Sequence, residues 1–384
     1  MEKDKKGYSL SEYMLWRGDL SFEQSPLNEV DNAILSELAY LDCSKVMEPM
    51  NPEGVTLREV YRRIMNGGTY RFLTIGEDDP EFIRLAAVSR RFGTLMIRYY
   101  SDILDDDRLQ FAAMHFSLNP RCDYVAFRGT DNSLIGWREN FMISFRHTQS
   151  QSAAADYLLK TMEEGKKYYV GGHSKGGNHA VFAVSHLDER YQKQVIRVFD
   201  NDGPGFSKDV FDLARIGSIN HMVTKIVPSY DVIGQLFRRP VPDTRIISST
   251  ASAILQHDPL SWRCEGPQFL KEESLDPDST VITESFNTWV EQVKPSDREQ
   301  FVSDLFDSLS IKGARRLDEI RLDDVPDLLR NIFDSSGETR MLFNQLRSIF
   351  LDNVTKEAAD RMNSLVEKQF RKKQSAGKEV KDKK

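Results

Sequence analysis

Residues 168–183 read YYVGGHSKGGNHAVFA, a run of strand-forming residues that ends in Gly172-His173-Ser174-Lys175-Gly176 and passes at once into a helical pattern. No other stretch constrains the fold so tightly. A serine with glycine two residues before and two after it, between a strand and a helix, is the G-x-S-x-G nucleophile elbow in the setting that motif requires. The turn is so sharp that the flanking positions must lack bulk; Gly172 and Gly176 satisfy this and Gly177 adds room. The N-terminus of the following helix favours negative charge at the serine. Two phosphate-binding readings of a glycine-rich βα turn fail, because both the Gly-Lys-Ser/Thr ending of a P-loop and the glycine spacing of a dinucleotide site are absent.

A strand–turn–helix unit needs a sheet around it, and the flanking sequence supplies one. Strands are expected at 94–101, 111–118, 124–127, 168–171, 195–199, 224–227 and 244–248. From the third strand onward helical patterns intervene, at 134–145, 153–164, 177–187 and 208–214, and that alternation implies βαβ units, a parallel sheet and helices on both faces. The fold class is therefore α/β. An amphipathic helix over 27–41, with apolar residues at 27, 30, 34, 35, 38 and 41, is expected to pack on the sheet.

The chain has 384 residues, more than the ~250–300 at which a single core stops growing, so a second unit is expected. From about residue 277 nearly every segment reads at helical period: 280–293, 296–309, 325–333 and 339–370. The Gly-, Pro- and acid-containing stretch before it reads as a connector, so the division is 8–270 for the α/β domain, 277–370 for a helical C-terminal region and 371–384 for a basic, disordered tail. That tail carries seven basic and two acidic residues, which leaves contact with anionic lipid open to it. The whole chain has a net charge of −7, which argues against nucleic acid as a partner. No stretch free of Asp, Glu, Lys and Arg exceeds 12 residues, too few to cross a bilayer. Cys43, Cys122 and Cys264 lie far apart without metal-ligand spacing, and the charged N-terminus is no secretory signal; ordinary thiols in the cytoplasm, with no metal, are expected.

A serine hydroxyl needs a base to take its proton and a third group to orient that base. In α/β-hydrolases the chain order is serine, acid, histidine. Of seven histidines only His221 and His257 lie far enough downstream, and His257, in the loop LQHDPLSW after the last expected strand, is favoured. The acid should follow a strand between Ser174 and His257. Asp231 in KIVPSYDVIGQL is favoured, with Asp202 in VFDNDGPGF as the main rival. Two oxyanion donors are expected, the backbone N–H of Lys175 and one from the turn YVAFRGTD, where Thr130 also offers a hydroxyl.

The motifs YMLWRGDLSF, LNEVDNAILSELAYLD, VAFRGTD with Trp137, VGGHSKGGNHA, FDNDGPGF, VPSYDVIGQL and HDPLSW resemble the α/β-hydrolases of the lipase class 3 type, in particular the bacterial Mbeg1-like group. The resemblance spans roughly residues 8–266. It implies an α/β-hydrolase fold, a triad of Ser174, Asp231 and His257, a Thr130 contribution to the oxyanion hole, and a lid just afterwards. The lid falls on SLIGWRENFMISF, with Leu134, Trp137, Phe141 and Phe145 on one helical face as lid or acyl pocket. Lys175 departs from the family, which usually has Leu there; its side chain is expected to point outward into solvent. Asp231 and His257 are 26 residues apart, so the cap between them is short. The expected activity is hydrolysis of a carboxylic ester through an acyl-enzyme on Ser174, without cofactor, on a small-molecule or lipid ester. The competing expectation is a non-catalytic hydrolase fold that binds a partner or membrane surface through its helical region.

Overall fold

A computed structural model describes residues 7–68, 70–73, 80–105, 109–130, 138, 142–143, 146–238, 240–309, 340–342 and 344–354. The expected helices over 134–145 and 325–333, most of 339–370 and the tail 371–384 fall wholly or largely outside these residues.

Among the described residues eight strands form one sheet in strict sequence order: β1 (Val55–Thr56), β2 (Met96–Asp105), β3 (Leu109–Asn119), β4 (Cys122–Phe127), β5 (Lys167–His173), β6 (Val195–Asn201), β7 (Val223–Pro228) and β8 (Asp243–Ile247). β1 to β4 pair antiparallel and β4 to β8 parallel. All seven expected strands are present. The crossover helices Gln149–Thr161 and Lys175–Ser185 carry the chain between parallel neighbours, and β5 is buried at every position from Val170 to His173 because helices cover both of its faces.

One core cluster lies between the sheet and the N-terminal helices, a second between the sheet and the two crossover helices. The helix Glu29–Leu38 differs from the expected amphipathic element in having no solvent face: all ten residues are buried. Its polar side chains can be buried because each finds a partner. Asp31 receives two hydrogen bonds from the Arg91 guanidinium at 2.7 and 2.5 Å, and this ion pair is fully inaccessible to water. Asn32 donates to Asn201 at the end of β6 at 2.7 Å and accepts from Tyr124 at 2.7 Å, while Ser36 accepts from the Asn201 amide at 3.0 Å. The N-terminal region thus reaches across the sheet and fixes the carboxyl end of β6, one residue before Asp202.

Of the C-terminal region, the helices Pro277–Gln292 and Pro295–Leu309 fold onto the α/β unit. Trp289, Val290, Val293, Phe301 and Val302 make a third core cluster with Met142, Ile233, Leu236 and Leu342. No helix among the described residues is long and apolar enough to cross a membrane.

Candidate active site

Ser174 has φ +56° and ψ −125°, a backbone conformation that non-glycine residues avoid because the Cβ crowds the chain. The contacts around it hold it there. Ser174 N–H donates to the Asn201 carbonyl at 2.9 Å, and the Ser174 carbonyl accepts from Gly177 N–H at 2.9 Å to start the helix. A Cβ on Gly176 would lie 2.1 Å from the Phe127 carbonyl oxygen, and one on Gly172 would lie 2.4 Å from that same atom. β4 and the elbow therefore touch backbone to backbone, which is the physical reason both glycines are needed.

The Ser174 hydroxyl lies 3.0 Å from His257 Nε2, and His257 Nδ1 lies 2.6 Å from Asp202 Oδ2. All three side chains are buried. With the Nδ1 proton donated to the carboxylate, Nε2 presents its lone pair to the hydroxyl. Burial lowers the imidazole's pKa to about 4, against the pull of Asp231 and Asp258, so the ring is neutral at pH 7.

The neighbour of His257 is thus Asp202 and not Asp231, the acid favoured from the sequence. Both aspartates follow a strand, so chain order alone cannot separate them. What separates them is the backbone: Asp202 sits at φ +56°, held by its N–H to the Ile226 carbonyl at 2.8 Å, and this bend aims its side chain across β6 at the histidine loop. Asp231 lies behind it and spends its two oxygens on the Gly234 N–H at 2.8 Å and the Gln235 amide at 2.7 Å. His221, the other histidine considered, is exposed at the start of β7, its Nδ1 3.1 Å from the Ser218 carbonyl.

The histidine loop is pinned on two sides. The His173 Nε2–H donates to the His257 carbonyl at 2.8 Å, and His173 Nδ1 faces the Tyr40 hydroxyl at 3.1 Å. Trp262, fully buried, donates from its indole to the Gln256 carbonyl at 2.8 Å, and the Gln256 side chain accepts from Tyr230 N–H at 2.9 Å. His173, next to the serine in sequence, is not among the histidines that the chain order allows as the base. Its position next to Ser174 places it under the loop that carries His257.

The turn after β4 lies directly over the elbow: a Cβ on Gly129 would meet Ser174 Cβ at 3.2 Å. Arg128 clamps this turn to β2 through a bidentate pair with Asp102 at 2.9 and 2.8 Å, and Thr130 is buried beside it. The Lys175 side chain departs from expectation: it is 1% exposed, and its ammonium donates to the Gln110 carbonyl at 3.0 Å and side-chain oxygen at 3.3 Å. Gln110, near the start of β3, supplies the acceptors that turn the cation inward. Leu134, Trp137, Phe141 and Phe145, expected to line a lid or acyl pocket, lie outside the described residues. Among the described residues no group of acidic, His or Cys side chains is placed to hold a metal ion.

An ordered sheet with a strained serine between its β5 strand and the next helix, and with helices added at the C-terminus, is the α/β-hydrolase fold. The sequence matches the Mbeg1-like family over residues 86–307, more than half of the chain, and the protein belongs to that family. The match runs through the helices Pro277–Gln292 and most of Pro295–Leu309. Among solved structures the fold is similar to the M37 lipase (13% identity, 54% of this chain and 70% of that one, TM-score 0.34). It is also similar to the Rhizomucor miehei lipase in complex with its propeptide (15% identity, 57% and 67%, TM-score 0.32) and to a fungal lipase in an inhibitor complex (15%, 50% and 75%, 0.27). Comparison with curated proteins returns no match.

Proposed function

We infer that this protein is a serine hydrolase that cleaves a carboxylic ester through an acyl-enzyme on Ser174. The observation that carries the reading is the unbroken line of hydrogen bonds from the Ser174 hydroxyl through His257 to Asp202, at 3.0 and 2.6 Å, beginning at a residue with strained backbone. A serine held at positive φ with its hydroxyl on a neutral imidazole costs about 1–3 kcal/mol of backbone strain, and such strain clusters at functional sites.

In this mechanism His257 Nε2 takes the proton of Ser174 as its oxygen attacks the ester carbonyl. The negative Asp202 side chain stabilises the imidazolium that results. The developing oxyanion is held by the backbone N–H groups of Lys175 and Thr130. His257 then returns its proton to the departing alcohol, and water repeats the steps in the second half to release the acid. An apolar acyl group on a small or lipid ester is the substrate class.

Covalent labelling with a fluorophosphonate tests this. The wild type is expected to react at Ser174, Ser174→Ala not at all, and His257→Ala or Asp202→Asn about 10³- to 10⁴-fold more slowly. A folded wild-type protein that resists the reagent would overturn the reading.

A further inference from the structure

The acid position contains a second carboxyl that the triad does not use. Asp202 spends Oδ2 on His257, and its Oδ1 is buried with no donor in good hydrogen-bond geometry; the one N–H that also acts on this carboxyl, that of Gly234, is given to Asp231 Oδ1. What it faces is Asp231, at hydrogen-bonding range and itself 1% exposed. A Cβ built on Gly234 would lie 2.4 Å from Asp202 Oδ1 and 2.9 Å from Asp231 Oδ2, so the two oxygens crowd one spot. Two ionised carboxylates in a dry site cannot sit like this without a cation between them. The nearby cation lies to one side and not between them: Lys225 donates to Asp200 at 2.9 Å and to the Gly203 carbonyl at 2.7 Å, and its charge only partly offsets the burial of the two carboxyls.

Resting on the reading of Ser174, His257 and Asp202 as a triad, we propose that Asp231 is a protonated positioning residue whose carboxyl O–H donates to Asp202 Oδ1. One proton and one negative charge are then shared by the pair, and the charge is displayed to His257 through Oδ2. Burial and the charge of Asp202 both raise the Asp231 pKa well above the usual carboxylate range, in keeping with a proton retained at neutral pH. During the reaction the proton from Ser174 travels only to His257; the Asp231 proton stays where it is. Its work is to orient Asp202, filling the lone pair that would otherwise let the carboxylate rotate away from the imidazole.

Asp231 is itself held in place. Gly234 N–H fixes one of its oxygens and the Gln235 amide the other, and the Gln235 carbonyl accepts from the Asn287 amide at 3.0 Å. Hydrogen bonds therefore continue from the catalytic serine to the helix Pro277–Gln292, beyond the sheet.

The test uses the full-length protein and two readouts. Infrared difference spectra at neutral pH should show a protonated-carboxyl carbonyl band in wild type and in Ser174→Ala that is missing in Asp231→Asn. In fluorophosphonate labelling, Asp231→Ala should slow the reaction about 10²-fold. Asp231→Asn, whose amide can still donate to Asp202, should recover it to within about tenfold of wild type, whereas Asp202→Asn should lose about 10⁴-fold. An absent difference band, or an Asp231→Asn as slow as Asp202→Asn, overturns the proposal; the latter would make Asp231 the ionised acid. If the wild type fails to label while the band is present, the hydrolase reading falls and the shared proton stands.

Discussion

Position 129 shows how little freedom the residues around Ser174 have. Gly129 stands where a Cβ would come 2.1 Å from the Tyr40 hydroxyl, 2.5 Å from the His173 carbonyl oxygen and 3.2 Å from Ser174 Cβ. Gly129→Ala is therefore expected to push the 128–130 turn off the elbow, moving Thr130 and the His173 support together. Labelling of Ser174 should slow by at least about 10²-fold, with circular dichroism checking that the fold survives. At this scale the sequence was informative for Ser174, Gly172, Gly176 and His257, because the elbow is a local motif and the chain order of the triad narrows the bases to two. It was uninformative between Asp202 and Asp231, which are adjacent in space at the ends of neighbouring strands. The choice depends on which side chain the positive φ at 202 turns toward the histidine, and nothing in DNDGPGF states that conformation directly. The Asp202-Gly203 pair, a dipeptide suited to tight turns, was the available hint.

Among the elements, the helix Lys175–Ser185 is buried along its whole length and carries a histidine that the chemistry does not use. His179 lies between Phe111 and Phe127, its Nε2 3.1 Å from the Ser150 hydroxyl on the helix Gln149–Thr161. Burial, with the Lys175 cation nearby, holds its pKa well below the ordinary value of 6.5. The unfolded chain therefore binds a proton below about pH 6.5 that the folded chain refuses. The stability tied to this neutral ring is complete above that pH and is lost as the pH falls. His179→Gln lacks the titration, so the stability gap between wild type and variant should narrow by up to about 1.4 kcal/mol per pH unit between pH 6.5 and 5 in urea titrations. A gap that does not move with pH would show that the ring is charged in the fold. Strand positions were legible here because β-branched runs and helical spacing alternate regularly from Tyr124 onward. The helix Leu57–Gly67 was not placed from the sequence, although Leu57, Val60 and Ile64 carry its buried face and Thr56 caps it. The complete burial of Glu29–Leu38 could not be read from spacing, since its polar and charged residues are matched by partners as distant in sequence as Arg91, for Asp31, and Asn201, for Asn32.

For the molecule as a whole, the α/β unit and the C-terminal helices share a core and also share polar contacts. Asn287 accepts from Phe237 N–H at 2.9 Å and donates to the Gln235 carbonyl, and Asp276 N–H donates to the Ser229 carbonyl at 2.7 Å. These bonds fix both ends of the segment that bears Asp231. Asn287→Ala removes two of them and should cost about 1–2 kcal/mol in unfolding free energy. It should also lower kcat more than it raises KM on a soluble ester, because the loss acts on alignment and not on substrate contacts. An Asn287→Ala protein with reduced stability and unaltered kcat would mean that the loop keeps its shape unaided. The sequence suggested an added helical region but could not show this anchoring, because the partners are single polar residues some fifty positions apart.

The tie through Asn287 changes what a deletion experiment can say. Cutting the chain before Pro277 would strip the brace from the reaction centre along with any docking role of the helices, so a dead truncate could not tell an enzyme from a scaffold. If Asp202 and Asp231 share a proton as proposed, a displacement of that helix from outside would disturb the pair through Gln235 and with it the setting of Ser174.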